Sequence, residues 1–216
     1  MRKSTGDTRV IEAVSKHIEK HIGEVAFVLH EEDSPHIHVD VHVVGPSSQR
    51  PYYVLVTSGM SERAMPTPDE ASPDGRFAEL VICLPRGWSL SSQAFKKEEN
   101  WWPIRLLKGL ARYPHQQKTW LYGGHSMTWS DPPEPFASNT RMTSVVLLKP
   151  RLVPKAAHIV HFRKNKHGLL WGVYPLYQEE LELKLRDGAD RLERLLKHRG
   201  ITELLDVRRA SVVGMN

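Results

Sequence analysis

Tyr52-Tyr53-Val54-Leu55-Val56-Thr57-Ser58, followed at once by Gly59-Met60, constrains this chain more than any other stretch. β-Branched and aromatic residues in one short run read as a buried strand. The Thr-Ser-Gly-Met end reads as a sharp turn that uses the permissive backbone of Gly59. Just upstream, Ile37 to Val44 alternates, with Ile37, Val39, Val41 and Val43 on one face and His36, His38, Asp40 and His42 on the other. Gly45-Pro46-Ser47-Ser48 turns the first run into the second, so the two are expected to pair antiparallel. No nucleophile with its base, phosphate cradle or metal cage accompanies the Gly59-Met60 turn, which favours a recognition surface over catalysis.

The rest of the chain supplies both helices and strands. Residues 8–22 are expected to form an amphipathic helix, with Ile11, Val14, Ile18 and Ile22 as its stripe, Asp7 or Thr8 as cap and Gly23 as stop. Val25–Leu29 and Phe77–Leu84 read as strands, and residues 61–75 as an exposed loop. Pro103 suits the first turn of a helix that buries Ile104, Leu107, Leu110 and Ala111 and ends before Pro114. Trp120–Trp129 reads as irregular chain or a hairpin around Gly123-Gly124. Strands are expected at Ser144–Leu148, His158–Phe162 and Leu169–Val173, the last two joined by a basic loop from Arg163 to Gly168. Gln178–Arg199 is expected to be helical with a break at Asp187-Gly188, because Glu179 and Glu180 at its start and Lys197, His198 and Arg199 at its end suit the helix dipole. Ile201–Val207 reads as an edge strand. Strands that follow one another in hairpin-like succession predict a single α+β domain over 1–216, a mixed, mostly antiparallel sheet with helices packed on it.

These blocks, taken in order, carry a resemblance. His38-Val39-Asp40-Val41-His42-Val43-Val44, the Arg50–Ser61 strand and turn, and Met60-Ser61-Glu62-Arg63-Ala64-Met65-Pro66 come first. Glu79-Leu80-Val81-Ile82-Cys83-Leu84-Pro85 with Trp88 follows, then Trp102-Pro103-Ile104-Arg105-Leu106-Leu107, and finally Val173-Tyr174-Pro175-Leu176-Tyr177-Gln178-Glu179-Glu180-Leu181. The ordered set, spanning roughly residues 25 to 200, resembles the suppressor-of-fused (SUFU-like) domain family, of the short bacterial type. The resemblance implies an α+β fold and a non-enzymatic binding protein without a cofactor. Eukaryotic members sequester a zinc-finger transcription factor and carry a second domain that this chain is too short to hold. Short members are proposed to be immunity proteins that neutralise a toxin by direct binding. The expected partner is therefore another protein, a cognate toxin or a regulated protein.

Composition narrows the alternatives. No apolar run approaches the ~20 residues that span a bilayer, no secretory signal is visible behind Met1-Arg2-Lys3, and the single cysteine, Cys83, suits a reducing cytoplasm. The net charge of +5 comes from the last third, where residues 151–216 hold 13 of the 30 Lys and Arg against 8 of the 25 Asp and Glu. Most of these charges interleave on a helix, the pattern of a solvated face, so nucleic acid is not the expected partner.

Three groups of residues remain as site candidates. A His-x-His pair on one strand face can grip a metal, and His36, His38 and His42 with Asp40 have that spacing; the rival reading is the wet face of a sheet. Of the six tryptophans, Trp88, Trp101, Trp102, Trp120 and Trp129 fall in or beside expected loops, where aromatics anchor interfaces or seal the core. The partner-binding candidates are Asp40, Gly59, Met60, Glu79, Trp88, Trp101, Tyr177, Glu179 and Glu180. The carboxylates among them would meet a basic toxin, and one of Glu179 and Glu180 is expected to cap a helix.

Overall fold

A computed structural model describes residues 6–31, 37–68, 73–163 and 166–214. Among them, eight strands form one sheet: β1 (Val25–Leu29), β2 (Asp40–Val44), β3 (Tyr52–Ser58), β4 (Ala78–Pro85), β5 (Ser126–Thr128), β6 (Ser144–Leu148), β7 (Ile159–Arg163) and β8 (Lys166–Leu176). The order is β1-β2-β3-β4-β8-β6-β5, with β7 paired to β8 beside it. Every pairing is antiparallel except β4 with β8. The expected α+β architecture is present, and β2 and β3 pair as the turn between them predicts, Asp40 opposite Ser58 and Val44 opposite Val54.

Helices cover both faces of the sheet. α1 (Thr8–His21) packs Val10, Val14 and Ile18 on Val54, Val56, Val81 and Cys83. α3 (Gln178–Asp187) and α4 (Ala189–His198) continue that layer, with Leu183, Leu192 and Leu196 on Val146, Tyr174 and Leu176. α2 (Glu98–Gln117) seals the opposite face, packing Trp102, Ile104, Leu107 and Leu110 against Val41, Val43, Leu55, Ile82 and Val173. Central strands covered twice need apolar side chains on both faces, which is why β3 and β4 read as continuous runs. β2 is covered in the same way, so its polar side chains are enclosed: Asp40 and His42 are 2% and 1% exposed. The wet-face reading of this strand is thereby corrected.

Several boundaries move for physical reasons. Asp7 caps α1 by accepting from the Arg9 amide; of the expected stripe Val14 and Ile18 are buried, joined by Val10 and His17 in place of Ile11 and Ile22. α2 starts five residues before Pro103 and runs past Pro114. A proline inside a helix withdraws a donor from the carbonyl four residues back; here Asn139 Nδ2 donates to the Glu99 carbonyl at 3.0 Å in its place. The expected exposed loop after β3 is half wrong, since Ser61 and Met65 are buried. β8 begins at Lys166, which shortens the basic loop, and the Lys166 ammonium turns inward to the Ser61 and Glu62 carbonyls. The break between α3 and α4 falls at Gly188, with φ of +87°. Ile201–Val207 is not a strand; it makes one parallel bridge, Leu204 to Cys83.

A candidate protein-binding cleft

β4 and β8 run side by side only from Ala78 to Val81, opposite Leu169 to Gly172. Beyond that point they diverge, and the C-terminal segment fills the gap. The Cys83 amide donates to the Glu203 carbonyl at 2.9 Å, and the Leu205 amide donates to the Cys83 carbonyl at 2.8 Å. Three anchors hold this segment. The Glu203 carboxylate, fully buried, accepts from the Arg151 and Leu152 amides and from the Tyr174 hydroxyl. Arg209 pairs with Glu180, and the Tyr177 hydroxyl donates to the Arg209 carbonyl.

Between this segment and the start of α2 lies an open cleft of about 700 Å³. Trp88 stands at its corner, its indole N–H held by the Asn100 carbonyl at 3.1 Å and its ring edge-on to Trp102. Leu204, Leu205 and Val207 supply apolar lining, while Arg199 and Arg208 are accompanied by Asp206 and Glu99. Asn139, which also lines the cleft, has a buried Oδ1 with no partner among the described residues. A half-buried indole locked by a hydrogen bond is a low-entropy anchor, and mixed charges around it suit a protein surface better than a small anion.

The expected site residues divide between the two ends of the sheet. Trp88 is at the cleft, and Trp101, half-buried and in ring contact with Phe95, follows Asn100 in α2. Glu179 is half-buried at the start of α3. Tyr177 (3% exposed) and Glu180 (0%) stand behind the cleft and brace the segment that lines it. Asp40, Gly59, Met60 and Glu79 gather at the far end, roughly 20 Å along β4 from Pro85 at ~3.3 Å per residue. There they are enclosed. Met60 is 0% exposed and its carbonyl takes His115 Nε2 at 2.8 Å. Gly59 has φ of +117° and passes so close to the His38 carbonyl that a Cβ would collide with it. As direct contacts these four, with Tyr177 and Glu180, are corrected: in this fold they have almost no surface to offer.

Glu79 is instead a structural hub. Its carboxyl accepts from Thr57 Oγ1 (2.6 Å), the Gly59 and Ser61 amides (3.1 and 3.0 Å) and Ser61 Oγ (2.5 Å). Full burial still pushes its pKa up to about 7, outweighing the four donors, which favour the charged form. Asp40 is likewise saturated, with His38 Nε2 at 2.9 Å, His30 Nδ1 at 3.1 Å and the Glu31 amide at 3.0 Å. Glu31 in turn pairs with Arg112 of α2.

The metal alternative fares poorly on geometry. His38 precedes β2 and turns its Nε2 to Asp40, whereas His42 Nε2 meets Ser58 Oγ at 2.9 Å, so the two rings are held by different partners. Desolvation lowers His42 to about 4. His36 lies outside the described residues, and among those described no three His, Cys, Asp or Glu side chains are arranged to hold an ion. No helix among them is long and apolar enough to cross a membrane.

Sequence reading missed Glu203, Arg209 and Asn139. Glu203 left one signal: an acid inside an apolar run needs buried partners. Asn139 left none, since its partner is a carbonyl freed by a proline 36 positions earlier in the chain, a relation only the fold reveals.

Comparison with known proteins agrees with this architecture. A crystal structure described as a SUFU (suppressor of fused protein) homolog from Neisseria gonorrhoeae FA 1090 is similar with a TM-score of 0.69 at 16% identity, over 97% of this chain and all of that one. The Sufu–Fu complex crystal structure aligns with a TM-score of 0.62 at 14% identity, over 94% of this chain and 92% of that one. Drosophila Suppressor of Fused aligns at 0.63 and 14% identity over 94% of this chain, which spans 51% of that protein. No curated protein sequence matches significantly. The suppressor of fused protein (SUFU) sequence family matches residues 35–210, from the segment ahead of β2 to the segment that lines the cleft, and the chain belongs to that family.

Proposed function

We propose that the protein binds another protein without chemistry, docking it in the cleft beside Trp88, and that the bound protein is a toxin domain whose working surface is thereby occluded. The observation that carries this reading is the cleft itself: a locked indole at the corner of an open, mixed-charge trough of about 700 Å³, at the end of the sheet where β4 and β8 diverge. The family's Sufu–Fu complex supports binding of a protein partner. The toxin reading rests on the likeness to short bacterial members. Trp88, Trp101 and Glu179 remain as contacts; Tyr177 and Glu180 act from behind by holding the Arg209 segment. The charge argument also changes, because Asp40, Glu79 and Glu180 are internal. A basic partner has only Glu99 and Asp206 to find in the cleft, set beside Arg199 and Arg208, so shape with apolar contact has to carry the affinity.

The test is co-purification with the product of the neighbouring gene. Stable complex formation by the wild-type chain, lost at least tenfold on Trp88→Ala, supports the reading. Equal binding by that variant removes the cleft, and no complex at all removes the toxin assignment.

A further inference from the structure

Three adjoining hollows on the β7–β8–α4 side meet at Lys149. The first, of about 280 Å³, is aromatic and apolar, lined by Tyr122, Trp171, Leu169 and Leu170 with His158 and Lys149. The second, of about 420 Å³, shares Tyr122, Trp171 and Lys149 and reaches Asp190 and Glu193. The third, also about 420 Å³, is cationic: Lys149, Arg151, Lys155 and Lys197 face one carboxylate, Glu193, with His158 between it and the first. These sizes lie near the range of small-ligand sites, roughly 300–1,000 Å³.

Three of the four cations are not engaged elsewhere; Arg151 Nη1 donates to the Ile201 carbonyl at 3.2 Å. No hydrogen bond or ion pair within the described residues occupies the ammonium groups of Lys149, Lys155 or Lys197; Glu193 and Lys197, one helical turn apart in α4, do not pair. Four like charges around one hollow repel each other unless an anion joins them. Trp171 is 5% exposed, and its Nε1, like His158 Nε2, is buried, so these residues offer the hollow carbon surface. Tyr122 packs edge-on against Trp171 at 4.9 Å, so the wall of the hollow is set before any ligand arrives.

We infer that these hollows form one binding site for a phosphorylated aromatic metabolite of the nucleoside monophosphate class. The base enters beside Tyr122 and Trp171 and packs on the carbon surface that they share with Leu169 and Leu170. The phosphate sits among Lys149, Arg151, Lys155 and Lys197. Three of the thirteen basic residues after residue 150, Arg151, Lys155 and Lys197, line the site. It is separate from the Trp88 cleft and shares no lining residue with it.

Isothermal titration of the whole chain with AMP, GMP, adenosine and inorganic phosphate tests the assignment. The expected result is one site for AMP or GMP, with adenosine and phosphate each at least tenfold weaker. Lys149→Ala/Lys197→Ala should weaken the nucleotide at least tenfold, while Lys16→Ala/Lys20→Ala on α1 leaves it unchanged. Both pairs are exposed, and far-ultraviolet circular dichroism verifies that each variant folds. Phosphate binding as tightly as AMP, or an oligonucleotide binding where no mononucleotide does, would overturn the inference; so would the absence of heat with all four compounds at millimolar concentration.

Discussion

Arg209 meets Glu180 through two hydrogen bonds, Nη1 to Oε1 at 2.6 Å and Nη2 to Oε2 at 2.5 Å, with side chains 9% and 0% exposed. The same carboxylate closes the capping box of α3 by accepting from the Tyr177 amide at 3.0 Å, and it also takes the Val212 amide at 2.9 Å. One acid thus starts a helix and fastens the segment that lines the cleft. Removing one partner of a buried pair strands the other, at roughly 3–5 kcal/mol. Glu180→Ala is expected to cost more than Arg209→Ala, because it also orphans two amides. Urea denaturation of the two variants measures the order; equal losses would mean that the amides find other acceptors.

Glu79 and His42 make a second prediction, about pH. The folded state holds Glu79 near 7, above its ordinary 4.5, so it keeps a proton that the unfolded chain has released. Its contribution is therefore complete below about 4.5 and is lost as pH rises through 7. His42 goes the other way: held near 4 instead of 6.5, its contribution is present above 6.5 and lost as pH falls toward 4. The two slopes oppose each other in the same window and partly cancel in the wild type. Relative to wild type, Glu79→Gln should gain stability on going from pH 4.5 to 7, on the order of 3 kcal/mol. His42→Gln should lose it. Slopes of the same sign in the two difference curves would contradict this.

Gly59 supplies a third. Its φ of +117° and its approach to the His38 carbonyl leave no room for a side chain. Gly59→Ala has to move either β3 or the segment ahead of β2, and backbone strain of this kind costs up to about 3 kcal/mol before the collision is counted. A fall in melting temperature of at least roughly 10 °C is expected for a chain of this size. Gly87→Ala, with open space around its Cβ and an ordinary φ, is the control and should change little.

That the chain forms a mixed sheet with helices on it was legible in the sequence, because strand and helix periods survive whatever lies around them. β1 and β6 have the bounds that their apolar runs suggest. What could not be read was depth. His42 and Asp40 sit on an alternating strand that resembles a half-wet one, and only the second helical layer turns that face inward. For the same reason the candidate acids Glu79 and Glu180 became internal acceptors, while Trp88, chosen on residue type and loop position, lines the cleft. Arg209 was invisible, since its partner lies 29 residues away across the divergence of β4 and β8.

Glu203 carries the last prediction. It accepts the Arg151 amide (2.9 Å), the Leu152 amide (2.7 Å) and the Tyr174 hydroxyl (3.1 Å), all in a buried setting. The same burial and the nearby carboxylate raise the Tyr174 pKa, so that hydroxyl stays a donor. Glu203→Ala leaves the Arg151 and Leu152 amides unmatched at about 1–3 kcal/mol each, and the Tyr174 hydroxyl keeps only the Lys149 carbonyl at 3.2 Å. The loss falls on one end of the molecule: without the carboxylate, the backbone bonds of residues 203–205 to Cys83 are left with the Arg151–Ile201 bond and the Arg209 contacts to Glu180 and Tyr177. The C-terminal segment should therefore open before the core melts. Limited trypsin digestion reads this directly, since Arg199, Arg208 and Arg209 lie in it. Cleavage there should quicken at least tenfold in Glu203→Ala while the rest of the chain resists. Binding of the co-purified partner should fall in parallel, because half of the cleft's lining goes with the segment. Faster cleavage with undiminished partner binding would show that the partner docks elsewhere.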